Sequence, residues 1–78
     1  MIEKKQYLIV TFFTTAGAMA MEAEAAKAGI AGKLISAPRN LSSDCGIAFR
    51  TDPKWRDALQ AMIDQEELEI EAIHCMEL

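Results

Sequence analysis

The chain has 78 residues, of which 51% are apolar and 26% are charged. These proportions are typical of a globular protein and exclude a disordered chain or a disulfide-stapled peptide. This length allows one compact core and excludes two, so we expect a single domain over residues 1–78. A net charge of -4 leaves no basic surface for a phosphate backbone, so we expect no nucleic acid partner.

The beginning of the chain and its cysteine content predict a cytoplasmic protein. The residues after Met1 lead directly into a strand-like run, without the basic, apolar and small-residue segments of a signal peptide. Apolar runs are too short to span a bilayer, so no membrane partner is expected. Cys45 and Cys75 are too few to staple a secreted domain, and we expect both to be reduced.

The first half of the chain predicts a strand followed by a helix. Residues 6–13 are rich in β-branched and aromatic side chains, which favours a strand. Thr14 and Thr15 offer hydroxyls to cap a helix that runs to Ala28, and Gly29 stands at the C-cap position. The expected buried positions of this helix are Ala16, Met19, Ala23 and Ala26.

The second half predicts two strands, a helix and a last strand. The expected elements are a strand over 32–37, a loop over 38–44, a strand over 46–50, a helix that begins at Asp52-Pro53, and a strand over 68–75. The order βαββαβ predicts an α+β ferredoxin-like sandwich, in which two helices pack on one face of a four-stranded antiparallel sheet.

This topology places the cysteines at opposite ends of the sheet. The turn after the first strand and the loop before the third strand share one end, so Cys45 should lie near Thr14 and Thr15. Cys75 should lie at the other end, too far away for an internal disulfide. The first strand is apolar on both faces, although helices cover only one. We therefore expect the open face to bind a protein partner, or a second copy in a homodimer.

Cys45 is the strongest candidate for chemistry. A lone cysteine is most often a small buried hydrophobe, but this one lies in a loop near a helix N-terminus. That terminus and Arg39 favour the nucleophilic thiolate, whereas the adjacent Asp44 opposes it. The expected surroundings suit a small anion or a sulfur anion and consist of Thr14, Thr15, Arg39, Ser42, Ser43 and Gly46.

Several of these residues also have structural interpretations. The hydroxyls of Thr14 and Ser42 can serve as caps and turn formers, and Arg39 and Arg50 can be surface charges paired with carboxylates. His74 and Cys75 are neighbours in a strand and point to opposite faces, so we predict no metal site and no cofactor. The acidic stretch near the end is interpreted as solvated: Glu66, Glu67, Glu69 and Glu71.

A known family shares the most specific of these residues. Pro38-Arg39, Ser42, Cys45-Gly46 and Arg50, preceded by Tyr7-Leu8 and Thr14-Thr15, resemble the family called putative Se/S carrier protein-like, a bacterial domain of unknown function. The resemblance covers about residues 6–73.

The resemblance implies that Cys45 holds sulfur or selenium as a persulfide or perselenide. The atom would come from a donor protein and pass to an acceptor protein, which favours a carrier or accessory protein over a turnover enzyme. Arg39 and the helix N-terminus would stabilise the terminal anion, and the hydroxyls would assist.

Two other functions remain open. Many ferredoxin-like domains bind small ligands or proteins without catalysis, and Cys45 would then be structural. A thiol-redox role is less favoured, because no resolving cysteine lies nearby in the sequence.

Overall fold

The computed structural model describes residues 5–41 and 45–78 and has the predicted element order. Its elements are β1 (Gln6–Thr11), α1 (Thr15–Ala28), β2 (Gly32–Ser36), β3 (Ile47–Thr51), α2 (Arg56–Gln65), which follows a 3-10 turn over Pro53–Trp55, and β4 (Ala72–Glu77). The four strands form one sheet in the order β2-β3-β1-β4, and all neighbouring pairs are antiparallel. The predicted α+β ferredoxin-like fold is confirmed.

Both ends of α1 are capped by the predicted residues. The Thr14 hydroxyl accepts a hydrogen bond from the Gly17 amide at 3.0 Å, which satisfies one of the free amides of the first turn. Gly29 has a φ of 76°, the left-handed conformation that ends many helices. These local signals were readable because a cap depends on residues next to it in sequence.

The predicted buried face of α1 is wrong. Ala16, Met19, Ala23 and Ala26 are exposed, and Met19 is 61% exposed. The buried residues are instead Ala18, Met21 and Ala25. Alanine and methionine occur around the whole helix, so the sequence does not define one apolar stripe and packing on the sheet selects the face.

The first and last strands differ from their predicted limits. β1 stops at Thr11; Phe12 is fully buried beyond it, and Phe13 is 48% exposed. β4 begins at Ala72 and not at residue 68, because Leu68 and Ile70 pack against the core from the preceding loop. Apolar burial therefore begins before the strand does.

One apolar cluster joins the sheet to both helices. Leu8, Val10 and Phe49 contribute from β1 and β3, and α2 contributes Leu59, Met62 and Ile63, together with the buried residues of α1. Because all of these belong to one cluster, both helices lie on the same face. Neither of these helices is long and apolar enough to cross a membrane, nor is any other within residues 5–41 and 45–78.

The opposite face of the sheet is less exposed than its sequence suggests. Ile9, Thr11 and Ala48 alternate with the core residues and are fully buried, although both helices pack on the other side. The Thr11 hydroxyl donates to the Ala72 carbonyl oxygen at 3.5 Å. A homodimer through this face stays a prediction.

Strand register defines the two ends of the sheet. Thr11 pairs with Ala48 where β1 stops and β3 starts. We call this the thiol end, because Cys45 lies two residues before β3. Thr51 pairs with both Leu8 and Gly32 at the other end, where β3 stops and β2 starts. We call this second end the cationic end, for the lysine and arginine side chains described below.

Candidate functional site

Cys45 is a half-buried thiol at the thiol end. It lies two residues before β3 and packs against the apolar cluster. Its Sγ–H donates to the Ile47 carbonyl oxygen at 3.4 Å. Only the protonated sulfur can donate this bond, so the bond is lost when Cys45 ionises to the reactive thiolate.

The N-terminus of α1 is at the same end as Cys45. Thr11 pairs with Ala48. Thr14 lies three residues after Thr11, and Cys45 lies three residues before Ala48, so both leave the sheet at this end. The first turn of α1 contains no acidic residue, so its positive dipole end is not neutralised locally. Thr14 uses its hydroxyl oxygen as the cap acceptor, which is the structural role weighed for it, and Thr15 is exposed in the first turn.

Arg39 and Gly46 belong to the same loop as Cys45, between β2 and β3. Arg39 is exposed in a turn that the Leu41 amide closes by donating to the Pro38 carbonyl oxygen at 3.0 Å. The Gly46 carbonyl oxygen accepts from the Ala37 amide at 2.9 Å, which closes the base of the loop.

Gly46 has a φ of 73°, the left-handed conformation that glycine adopts at low cost. It turns the chain from the Cys45 loop into β3. Ser42 and Ser43, which were predicted to support the site, lie outside the described residues, as does Asp44. The functional roles assigned to the residues around Cys45 stay predictions.

Glu71 was missed as a residue of this end. Its amide donates to the Thr11 carbonyl oxygen at 2.7 Å, and its Oε1 is buried without a hydrogen-bond partner among the described residues. The interpretation of the acidic stretch as solvated is correct for Glu66, Glu67 and Glu69, which are exposed, and wrong for Glu71. Its spacing from Ile73, which packs on the core, was the available signal.

Cys75 is separate from this site. It pairs with Leu8, which also pairs with Thr51 at the cationic end, so it lies toward the other end of the sheet, as predicted; it is exposed and donates from Sγ to the Gln6 side-chain oxygen at 3.4 Å. No disulfide joins Cys45 to Cys75 in the structure, and their reduced state stays a prediction. Within residues 5–41 and 45–78, no three His, Cys, Asp or Glu side chains are grouped to hold a metal ion.

Two other residues of the sequence motif meet at the cationic end. The Arg50 guanidinium lies over the Tyr7 ring, 4.7 Å from its centroid, and the Lys5 ammonium lies 5.5 Å from the same centroid. The alternative that Arg50 pairs with a carboxylate is wrong for the described part of the chain, where its guanidinium instead contacts the face of a neutral aromatic ring.

Comparison with known proteins identifies the family of this chain. The model of the family described as "Putative Se/S carrier protein-like" matches residues 7–75, a range that includes Tyr7, Cys45 and Arg50. No curated protein and no solved structure matches the chain. Because the match spans nearly all of the sequence, the chain belongs to the putative Se/S carrier protein-like family.

Proposed function

We propose that the protein carries sulfur or selenium as a persulfide or perselenide on Cys45 and transfers it to an acceptor protein. Family membership is the observation that carries this proposal. The position of Cys45 supports it, because this half-buried thiol precedes β3 at the end of the sheet where α1 begins.

Loading is an exchange that needs no external oxidant or reductant. The Cys45 thiolate attacks the terminal sulfur of a donor persulfide, a new S–S bond forms, and the donor S–S bond breaks. The donor leaves as a thiolate and takes up the proton that Cys45 lost. The same exchange, with the acceptor thiol as nucleophile, unloads the protein. A donor with terminal selenium follows the same balance.

Two groups of the thiol end are suited to a terminal anion. The α1 N-terminus has no acidic residue in its first turn, and Arg39 lies in the same loop as Cys45. In the proposal these groups stabilise the persulfide anion, and the hydroxyls of Thr14 and Thr15 assist.

Phe13 is the apolar contact that we assign to donor and acceptor proteins. It is 48% exposed and directly precedes the α1 cap, so it borders the thiol end. Phe13→Ser should slow transfer between proteins without slowing the reaction of Cys45 with a small persulfide. Leu78→Ser is the matched control, because Leu78 is 42% exposed and follows β4, away from the thiol end.

The direct test loads the protein enzymatically. The reduced chain is incubated with a cysteine desulfurase and cysteine, and intact mass is recorded with and without a reductant. The proposal predicts a gain of one sulfur atom that the reductant removes. Cys45→Ser should abolish the gain, whereas Cys75→Ser should retain it.

The control variant makes this test specific, because Cys75 is the more exposed thiol. A gain that disappears in Cys75→Ser and persists in Cys45→Ser would reject the carrier role of Cys45. A wild-type chain that gains no sulfur would reject the carrier role altogether.

A structural role for Cys45 is the second candidate, favoured by its contacts with the apolar cluster and the Ile47 carbonyl oxygen. The protein would then be a ligand-binding or protein-interaction module. In this case Cys45→Ala would lower stability, and iodoacetamide would modify Cys75 while sparing Cys45 at neutral pH. The carrier proposal predicts modification of both thiols.

A further inference from the structure

The cationic end contains a pocket that the carrier role does not use. The pocket has a volume of about 330 Å³ and opens where β2 starts and β3 stops. This size is at the lower limit of small-molecule sites. Its lining residues are Tyr7, Ala31, Gly32, Lys33, Arg50, Thr51 and Asp52.

Two cations of the pocket face one another across the sheet. Lys33 on β2 and Arg50 on β3 are register partners, so their side chains leave the same face directly opposite each other. Like charges in this position repel and destabilise the strand pair. Among the described residues, no carboxylate forms an ion pair with either one, although the whole chain has a net charge of -4.

Among the described lining residues, the one carboxylate is already engaged. Asp52 accepts from the Lys54 amide at 2.9 Å and forms an ion pair with the Lys5 ammonium at 2.9 Å. The hydrogen bond from the Lys54 amide, followed by the one from Lys5, holds the pKa of Asp52 below its ordinary value. Asp52 therefore neutralises Lys5, and no other described carboxylate forms an ion pair with Lys33 or Arg50.

Arg50 is held in an orientation suited to an anion. Its guanidinium lies over the Tyr7 ring and donates no hydrogen bond to another described residue. Contact through the face of the guanidinium leaves the N–H groups at its edge available, and these groups match the two oxygens of a carboxylate or phosphate.

We infer that this pocket binds a small molecule through an oxyanion group, a phosphate or a carboxylate, held between Lys33 and Arg50. The anion removes the repulsion between the two cations and accepts hydrogen bonds from both. Tyr7 supports the guanidinium through its ring. The inference does not depend on the role of Cys45.

The test is an NMR titration of the full chain, with inorganic phosphate and acetate as probes and sodium chloride at matched ionic strength as the reference. Saturable shifts are expected at the amides of Gly32, Lys33, Arg50 and Thr51. Arg50→Met and Lys33→Met should each weaken binding about tenfold or more, because each removes a charge-assisted hydrogen bond. Arg56→Met removes an exposed cation outside the pocket and should leave binding unchanged.

The two probes distinguish the ligand classes. Binding of phosphate alone identifies a phosphorylated ligand, and binding of acetate alone identifies a carboxylate; either result supports the inference. Absence of saturable shifts with both probes would overturn it. So would shifts that persist unchanged in Lys33→Met, a variant at an exposed position whose folding does not depend on the lost charge. Binding of an acidic peptide without binding of either small anion would replace it with protein docking.

Discussion

The thiol end combines the Cys45 thiol with hydroxyls, the first turn of a helix, Arg39 and the buried Glu71 carboxyl group, whereas at the cationic end two side-chain cations oppose each other with no ion-paired carboxylate among the described residues. The thiol end is formed by loops, and the Cys45 Sγ–H donates to the Ile47 carbonyl oxygen. The cationic end is shaped by strand register, which places Lys33 against Arg50. The two proposals therefore assign covalent chemistry to one end of the sheet and reversible anion binding to the other.

The glycines of the two ends should show this difference most strongly. A Cβ at Gly32 would lie 2.7 Å from the Arg50 carbonyl oxygen and would overlap the buried Phe49 ring, so Gly32→Ala should lower the free energy of unfolding by about 2–3 kcal/mol. A Cβ at Gly46 meets no atom within 4 Å, and Gly46→Ala should cost only about 1–2 kcal/mol, for its left-handed backbone.

Urea denaturation of both variants measures the difference. Equal losses, or a larger loss for Gly46→Ala, would show that the cationic end is not limited by close packing of β2 on β3.

The repulsion at the cationic end should be removable at the expense of anion binding. Lys33→Glu replaces a like-charge pair with an opposite-charge pair and should raise the free energy of unfolding by about 0.5–1 kcal/mol at low salt. Lys33→Gln is the matched control and should give a smaller gain. Thermal unfolding in the absence and presence of phosphate checks both effects, because phosphate should stabilise the wild type and not Lys33→Glu.

Destabilisation by Lys33→Glu would contradict the description of Lys33 and Arg50 as an uncompensated pair. A phosphate effect that is equal in Lys33→Glu and the wild type would place the anion elsewhere.

Ionisation of Asp52 should make the free energy of unfolding depend slightly on pH in the acidic range. The Lys54 amide, followed by Lys5, lowers the pKa of Asp52 in the folded state below its ordinary value of 3.8. The resulting stability is fully present above that value and is lost as the pH falls through the lowered pKa. Asp52→Asn should therefore lower stability at neutral pH, and the difference from the wild type should shrink as the pH falls below about 4 and vanish once the pH is below the lowered pKa.

Glu66→Gln is the control for this measurement, because Glu66 is exposed near the end of α2. The contrary result is a difference between wild type and Asp52→Asn that stays constant or grows as the pH falls.

Local signals predicted much of the fold, and contacts between residues far apart in the sequence determined what these signals missed. The caps of α1 at Thr14 and Gly29 were readable from adjacent residues. The buried face of α1 was not, because its alanines and methionines leave several faces apolar. The contact between Tyr7 and Arg50 depends on how β1 and β3 align, which residues far apart in sequence determine together. Cys45 was readable as a loop thiol, but its bond to the Ile47 carbonyl oxygen was not.

The difference between the two thiols provides the most direct test of the central claim. The wild-type chain is exposed to less than one equivalent of a persulfide donor protein, trapped with an alkylating agent, digested, and mapped by mass spectrometry. Exposure alone favours labelling of Cys75, since Cys45 is half-buried. The carrier account predicts that the sulfur is found on the Cys45 peptide. Sulfur found mainly on the Cys75 peptide would contradict it.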